Sequence, residues 1–230
     1  MTSNKRTARI AGLLYLIVVL TGIFSLMYVP SKLIVWDDAS TTVNNIMTSE
    51  TLFRLGIVSS LTSYTFFLFV PLVLYKLLKP VNETFASLMV ILALVSATLS
   101  FVPIVHKFDI LSLFGSADYL KVFGTDQLQA QVMLSLASYS SGTRIAMIFW
   151  GLWLFPFGYL VFKSKILPKF LGIFLMLGCF GYIIEVFGRS LFPEYYREMG
   201  ISTFITLPAA IGEIGICLWL LILGAKENGR

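Results

Sequence analysis

Six side chains in this sequence have the types and positions to do chemistry: Glu213, Glu185, Arg144, Arg54, His106 and Tyr182, all set in or at the ends of apolar runs. Glu213 is the sharpest case. It stands near the middle of the run Thr203 to Leu223, and a helix rising about 1.5 Å per residue would hold it near the middle of a bilayer's hydrocarbon. A carboxylate there is costly unless it is protonated, paired or facing an aqueous cavity, so it marks a functional position by default. Glu185 lies near the end of the run Phe170 to Phe187. Helical spacing puts Gly178, Tyr182, Glu185 and Arg189 on one face of that run, and Ala209, Glu213 and Cys217 on one face of the last. Each carboxylate thus has a small residue about one turn away, which leaves room for a cavity or a close helix contact.

Four chemistries are open to such a set. The side chains can line a polar pocket that binds a small or lipid-like ligand, with Glu213 the group expected to change protonation. The same glutamates can serve as proton or cation sites of a small transporter. His106 with Glu185 or Glu213 makes a general acid/base pair, the minimum for an intramembrane enzyme. Ser100, Ser140 and Ser141 are hydroxyl candidates for a nucleophile, but no nucleophile elbow surrounds them. The fourth use is structural: Arg144 paired with Glu185 and Arg54 with Glu213 would tie the helices together. His106, Glu185, Glu213 and Asp109 are chemically able to hold a metal, yet a lone imidazole with scattered carboxylates lacks a ligand spacing. No metal is assigned, and no motif indicates a cofactor.

The elements that must position these residues are membrane helices. Hydrophobic residues make up 57% of the 230-residue chain and charged ones 13%, against about 25% charged in soluble domains. That much apolar surface suits a protein whose outside faces lipid. Six runs are long enough to span: residues 10–29, 52–75, 85–105, 143–162, 170–187 and 203–223. The expected fold is an all-α, polytopic bundle in one domain, with an uncleaved first helix. Leu128 to Tyr139 is also apolar and either leads into the fourth helix or extends it. Ser59, Thr62, Ser63 and Phe66 share one side of the second run, as a helix interface or the wall of a polar cavity. Trp150 and Trp153 lie too deep for an aromatic belt and are expected to pack inside. A surface helix over Thr41 to Ser49, capped by Ser40, is expected in the first long loop. Part of Phe108 to Gln127 is expected in the membrane interface, and a short interfacial helix is expected near Tyr195, Tyr196 and Arg197. Cys179 and Cys217 fall mid-run and read as packing residues.

Six spans put both termini on one side. That side, counting the ends and the two short turns, has ten Lys and Arg against two acids, Glu83 and Glu227. The three longer connections have five Lys and Arg against eight acids. The basic side is expected to be cytoplasmic, with the longer loops outside. Arg54, His106, Arg144, Glu185 and Glu213 then all fall in the outer half of the bundle. A through-path would need polar lining in the inner half, which a second copy of the chain is one way to supply. Membrane lipids, a small-molecule or lipid-like ligand and a homo-oligomer are therefore the partners to consider. The basic residues are scattered in twos and threes, so a nucleic acid is not among them.

Arg6 to Leu16 reads RTARIAGLLYL, Phe149 to Tyr182 reads FWGLWLFPFGYLVFKSKILPKFLGIFLMLGCFGY, and Leu207 to Gly224 reads LPAAIGEIGICLWLLILG. With these stretches the chain resembles the DUF4386 family of small multi-pass bacterial membrane proteins, over nearly its whole length. The resemblance implies a compact six-helix protein of the bacterial inner membrane in which Gly151, Gly158, Ser164, Pro168, Gly172, Tyr182, Glu213 and Trp219 match the recurrent pattern. It implies no activity.

Overall fold

The computed structural model describes residues 3–115 and 117–226. Glu227 and Arg230, counted above for the tail, lie outside them. In chain order the helices are α1 (Ser3–Ile23), continued by a π-helical turn (Phe24–Tyr28) into α2 (Val29–Leu33), then α3 (Ala39–Thr48), α4 (Glu50–Leu78), α5 (Glu83–Phe101), α6 (Val105–Leu113), α7 (Thr125–Leu152), α8 (Leu154–Lys163), α9 (Lys169–Leu191), α10 (Pro193–Met199) and α11 (Ile201–Ile222). Joined end to end they give six stretches long and apolar enough to cross a membrane: residues 4–33, 50–78, 83–113, 125–163, 169–191 and 201–222. Leu13, Leu20, Val58, Phe69, Ile91, Phe155, Phe180 and Leu218, spread over all six, are exposed. Apolar residues exposed on every span are what a lipid-facing surface requires.

Breaks in the long helices follow from proline. Pro30 has no N–H and would crowd the carbonyl of Leu26. The chain accommodates it with a π turn just before, in which the Val29 N–H reaches back five residues to the Phe24 carbonyl. Pro156 likewise cannot bond to Leu152, and the fourth span breaks there into α7 and α8. Leu128 to Tyr139 is thus an extension of the fourth helix, continuous through α7.

The start of α1 and the end of α11 lie at the same end of the bundle: an Arg9 Nη2 donates to the Ile222 carbonyl (3.2 Å). The opposite, far end has the longer connections. Asp38, not Ser40, caps α3, its carboxylate accepting from the Thr41 N–H at 2.9 Å. The cap two residues earlier wins because Asp38 also accepts from the Thr41 hydroxyl at 2.6 Å. Within Phe108 to Gln127, Ile110 is fully buried in protein, with Val43, Ile46, Val132 and Leu136, while Phe108 and Val122 are exposed. This far-end core is separate from the larger one, in which Trp153 packs edge-on to Phe67 and stacked on Phe157. Ser59 and Ser63 donate across to the carbonyls of Thr21 and Val18, each at 3.1 Å. That face of α4 is therefore a helix interface with α1, while Thr62 bonds within its own helix to Val58 (2.8 Å).

Close approach of α9 and α11 fixes the depth of the two glutamates. A Cβ on Gly181 would collide with the Ile205 carbonyl, and one on Gly178 would stand 2.7 Å from the Ala209 Cα. Only glycine lets these backbones touch, as the small-residue spacing suggested. Gly200, at φ 59°, makes the left-handed turn from α10 into α11.

Candidate functional site: a far-end cleft and a buried glutamate

The six singled-out residues separate into three places. Arg54 and His106 lie on the surface. Arg54 pairs with Glu50 one turn earlier (2.6 Å), both well exposed. His106 Nδ1 faces Asp109 Oδ2 at 3.2 Å. Neither is brought to Glu185 or Glu213. Arg54 lies near the start of α4 with most of its side chain exposed, so no cross-helix partner is needed.

Glu185 and Arg144 share a half-open cleft of about 370 Å³ at the far end. Glu185 is only 4% exposed. Its Oε1 accepts from Arg189 Nε at 2.9 Å and from the Ser202 hydroxyl at 2.8 Å, and Arg189 Nη2 also reaches the Ser202 oxygen at 2.9 Å. The four-residue spacing of Glu185 and Arg189 thus closes as an ion pair. Glu185 Oε2 is buried and has no hydrogen-bond partner. Arg144 is partly buried in the cleft wall and, among the described residues, makes no hydrogen bond or ion pair. The structural reading's Arg144–Glu185 pair does not form; Glu185 pairs with Arg189 of its own helix instead.

The cleft also contains a residue that the sequence reading passed over. Lys107, one position after His106, is 4% exposed, and its Nζ lies 4.0 Å from the centroid of the Tyr139 ring. A desolvated ammonium over an aromatic face gains a cation–π contact that offsets part of its burial. The signal was present in the spacing: Pro103, Lys107 and Ile110 share a helical face, and all three are buried. The same cleft is lined by the apolar Leu26, Val29, Leu33, Phe53, Leu136 and Met147, with Trp36 and Trp150. The proline-induced π turn supplies part of that lining.

Glu213 and Tyr182 form the third place. The Tyr182 hydroxyl donates to Glu213 Oε2 at 3.3 Å, and the Tyr15 hydroxyl, from α1, donates to Oε1 at 2.8 Å. Tyr15 is 2% exposed. The carboxylate is thus held by two phenols from two other helices rather than by Arg54. Trp150 connects the two regions: its ring meets Tyr182 edge to face at 6.3 Å, its Nε1 donates to the Ser100 hydroxyl at 2.9 Å, and it lines the cleft. Among the described residues no three His, Cys, Asp or Glu side chains converge as a metal site.

Six long apolar helices, aliphatic side chains exposed along them and polar groups gathered inside define a polytopic helical membrane protein. The chain belongs to the family described as a domain of unknown function, DUF4386, which matches residues 10–224. It is 29% identical over 157 residues to an uncharacterized protein of the archaeon Archaeoglobus fulgidus, an alignment covering 68% of this chain and 76% of that one. No solved structure matches the chain.

Proposed function

We propose that the far-end cleft binds a small or lipid-like amphipathic ligand. One observation carries the reading: a single cleft combines many apolar side chains with buried Lys107 and Glu185 and with Arg144, which has no ion-pair partner among the described residues. A binding site is typically a mostly apolar concavity with a few convergent polar groups. A purely structural role would have matched Arg144 with an anion, since an unpaired charge near hydrocarbon is costly. The Lys and Arg distribution supports placing the termini in the cytoplasm, the protein in the cell membrane (in bacteria, the inner one) and the cleft on the outer side. Reporter fusions at Lys165 and Asp118 should give opposite sides; matching signals would refute that orientation.

The binding reading is tested by solvent extraction of the purified protein and mass spectrometry of what copurifies. Met147→Trp, which fills the cleft, should lower the yield of a specific amphiphile while the protein remains folded. Equal yields from both proteins, or none from either, would count against the site.

A second reading rests on the Glu213 network. A carboxylate between two phenols, in ring contact with the cleft through Tyr182 and Trp150, has the groups a proton-coupled transporter needs. Proton flux into liposomes that is lost in Glu213→Gln would support it; flux unchanged by that substitution would remove it.

A further inference from the structure

We infer that the cleft is built for an anionic phosphate ester that carries a free hydroxyl, the chemistry of a glycerol phosphate headgroup. The inference rests on the amphiphile reading and names the polar end of that ligand. Three cations, Lys107, Arg144 and Arg189, line the cleft against one carboxylate, Glu185. Arg189 is matched by Glu185, which leaves Lys107 and Arg144 without an anion among the described residues. A net negative ligand group is what that imbalance calls for. Guanidinium and ammonium together suit a phosphate, the first by its planar fork and the second as a point charge.

Glu185 adds the second requirement. Its Oε1 already accepts two hydrogen bonds, while Oε2 is buried without a donor. A buried carboxylate oxygen left unpaired costs free energy that a ligand donor would recover. The donor has to lie on the same small headgroup as the phosphate, since both sets of groups belong to one cleft of about 370 Å³. An ammonium would satisfy Glu185 but add positive charge to a site that already has an excess. A hydroxyl satisfies it without that penalty. The apolar lining then takes the start of the acyl chains, if the ester is a lipid, or is covered by the membrane's own lipids, if it is a free glycerol phosphate.

The full chain in mild detergent, titrated with lipids of identical acyl chains and read by native mass spectrometry, tests this. Phosphatidylglycerol should bind about tenfold more tightly than phosphatidylcholine, the scale of one charge-assisted contact. It should also exceed phosphatidylethanol, which has the same charge but no hydroxyl, and phosphatidylethanolamine. Arg144→Gln and Lys107→Gln should each reduce the preference over phosphatidylcholine, whereas Arg54→Gln, on the surface, should leave it unchanged. Competition by free glycerol 3-phosphate would support the same chemistry with a soluble source; absence of competition would assign the lipid. Equal binding of phosphatidylglycerol and phosphatidylethanol, or of phosphatidylglycerol and phosphatidylethanolamine, overturns the inference and leaves the amphiphile reading standing. No saturable binding of any lipid or of glycerol 3-phosphate overturns both. The lipid comparisons use the unaltered chain, so the inference stays testable if a variant fails to fold.

Discussion

The bond between Tyr15 and Glu213 should be worth more than the one between Tyr182 and Glu213, and the difference can be measured. Tyr15 is almost fully enclosed and its oxygen stands 2.8 Å from Oε1, whereas Tyr182 reaches Oε2 only at 3.3 Å. Hydrogen bonds to charged groups contribute about 1.5–3 kcal/mol in proteins generally, and polar side-chain pairs between membrane helices average about 0.6 and reach about 1.7 kcal/mol. The short, enclosed bond belongs near the top of the membrane range and the long one near its middle or below. Tyr15→Phe should therefore cost about 1–2 kcal/mol and Tyr182→Phe less than about 1 kcal/mol. In a Glu213→Leu background the acceptor is gone and Tyr15 is left with a stranded hydroxyl. There Tyr15→Phe should cost nearly nothing or should stabilise, giving a coupling energy of about 1 kcal/mol or more. Reversible unfolding in bicelles, followed for the two single variants and the double variant, supplies the cycle. An unchanged cost of Tyr15→Phe in the Glu213→Leu background would show that the hydroxyl stabilises through something other than Glu213, and the hydrogen-bond account would be wrong.

Three further outcomes follow from the same geometry. Gly181→Val should force α9 from α11 at the Ile205 carbonyl and cost about 1–3 kcal/mol, as overpacking does, in the same unfolding assay; a neutral result would mean that the helices part without penalty. Trp153→Ala, at a position 1% exposed between Phe67 and Phe157, should cost about 3–5 kcal/mol and lower the Tm markedly. Asp38, outside the spans, has a carboxyl held below its ordinary range by the Thr41 hydroxyl first and the Thr41 N–H second. Its support of α3 is complete above the ordinary carboxyl pKa and is lost as pH falls through the lower folded value. Amide protection at the start of α3 should fade at acid pH in the native chain and not in Asp38→Asn, whose amide cap does not titrate; equal pH profiles would exclude the carboxylate as the cause.

Span number, the glycine contact between α9 and α11 and the inward tryptophans were legible in the sequence because each depends on period and residue size alone. The site was legible only in part. Glu185 is buried and Arg144, Glu213 and Tyr182 are partly buried, but depth by itself placed Arg54 and His106 with them. Depth fixes height along a helix and says nothing about azimuth; His106 and Lys107 differ by one residue, about 100° around the axis, and only Lys107 turns inward. The third helix was ended near Val105 because polar residues follow, although it continues into α6. Without that continuation the face shared by Pro103, Lys107 and Ile110 is invisible. Tyr15 was passed over for a different reason: a tyrosine in an apolar run gives no signal until its helix is known to adjoin Glu213.

The overlong fourth span explains why a cleft exists at all. Residues 125–163 make a stretch of 39, roughly 58 Å at about 1.5 Å per residue, against about 30 Å of hydrocarbon. The turns at the terminal end are short, so the surplus emerges at the far end. There α3 and α6 cover it, burying Val43, Ile46 and Ile110 against Val132 and Leu136. The cleft lies below that cover, where Leu136 of the far-end core and Trp150, edge to face with Tyr182, line the same space. A protein needing only to stay in the membrane would gain nothing from a helix of this length. The proposed amphiphile would meet this helix at Leu136, Arg144 and Met147, an apolar and cationic set that matches both of its halves.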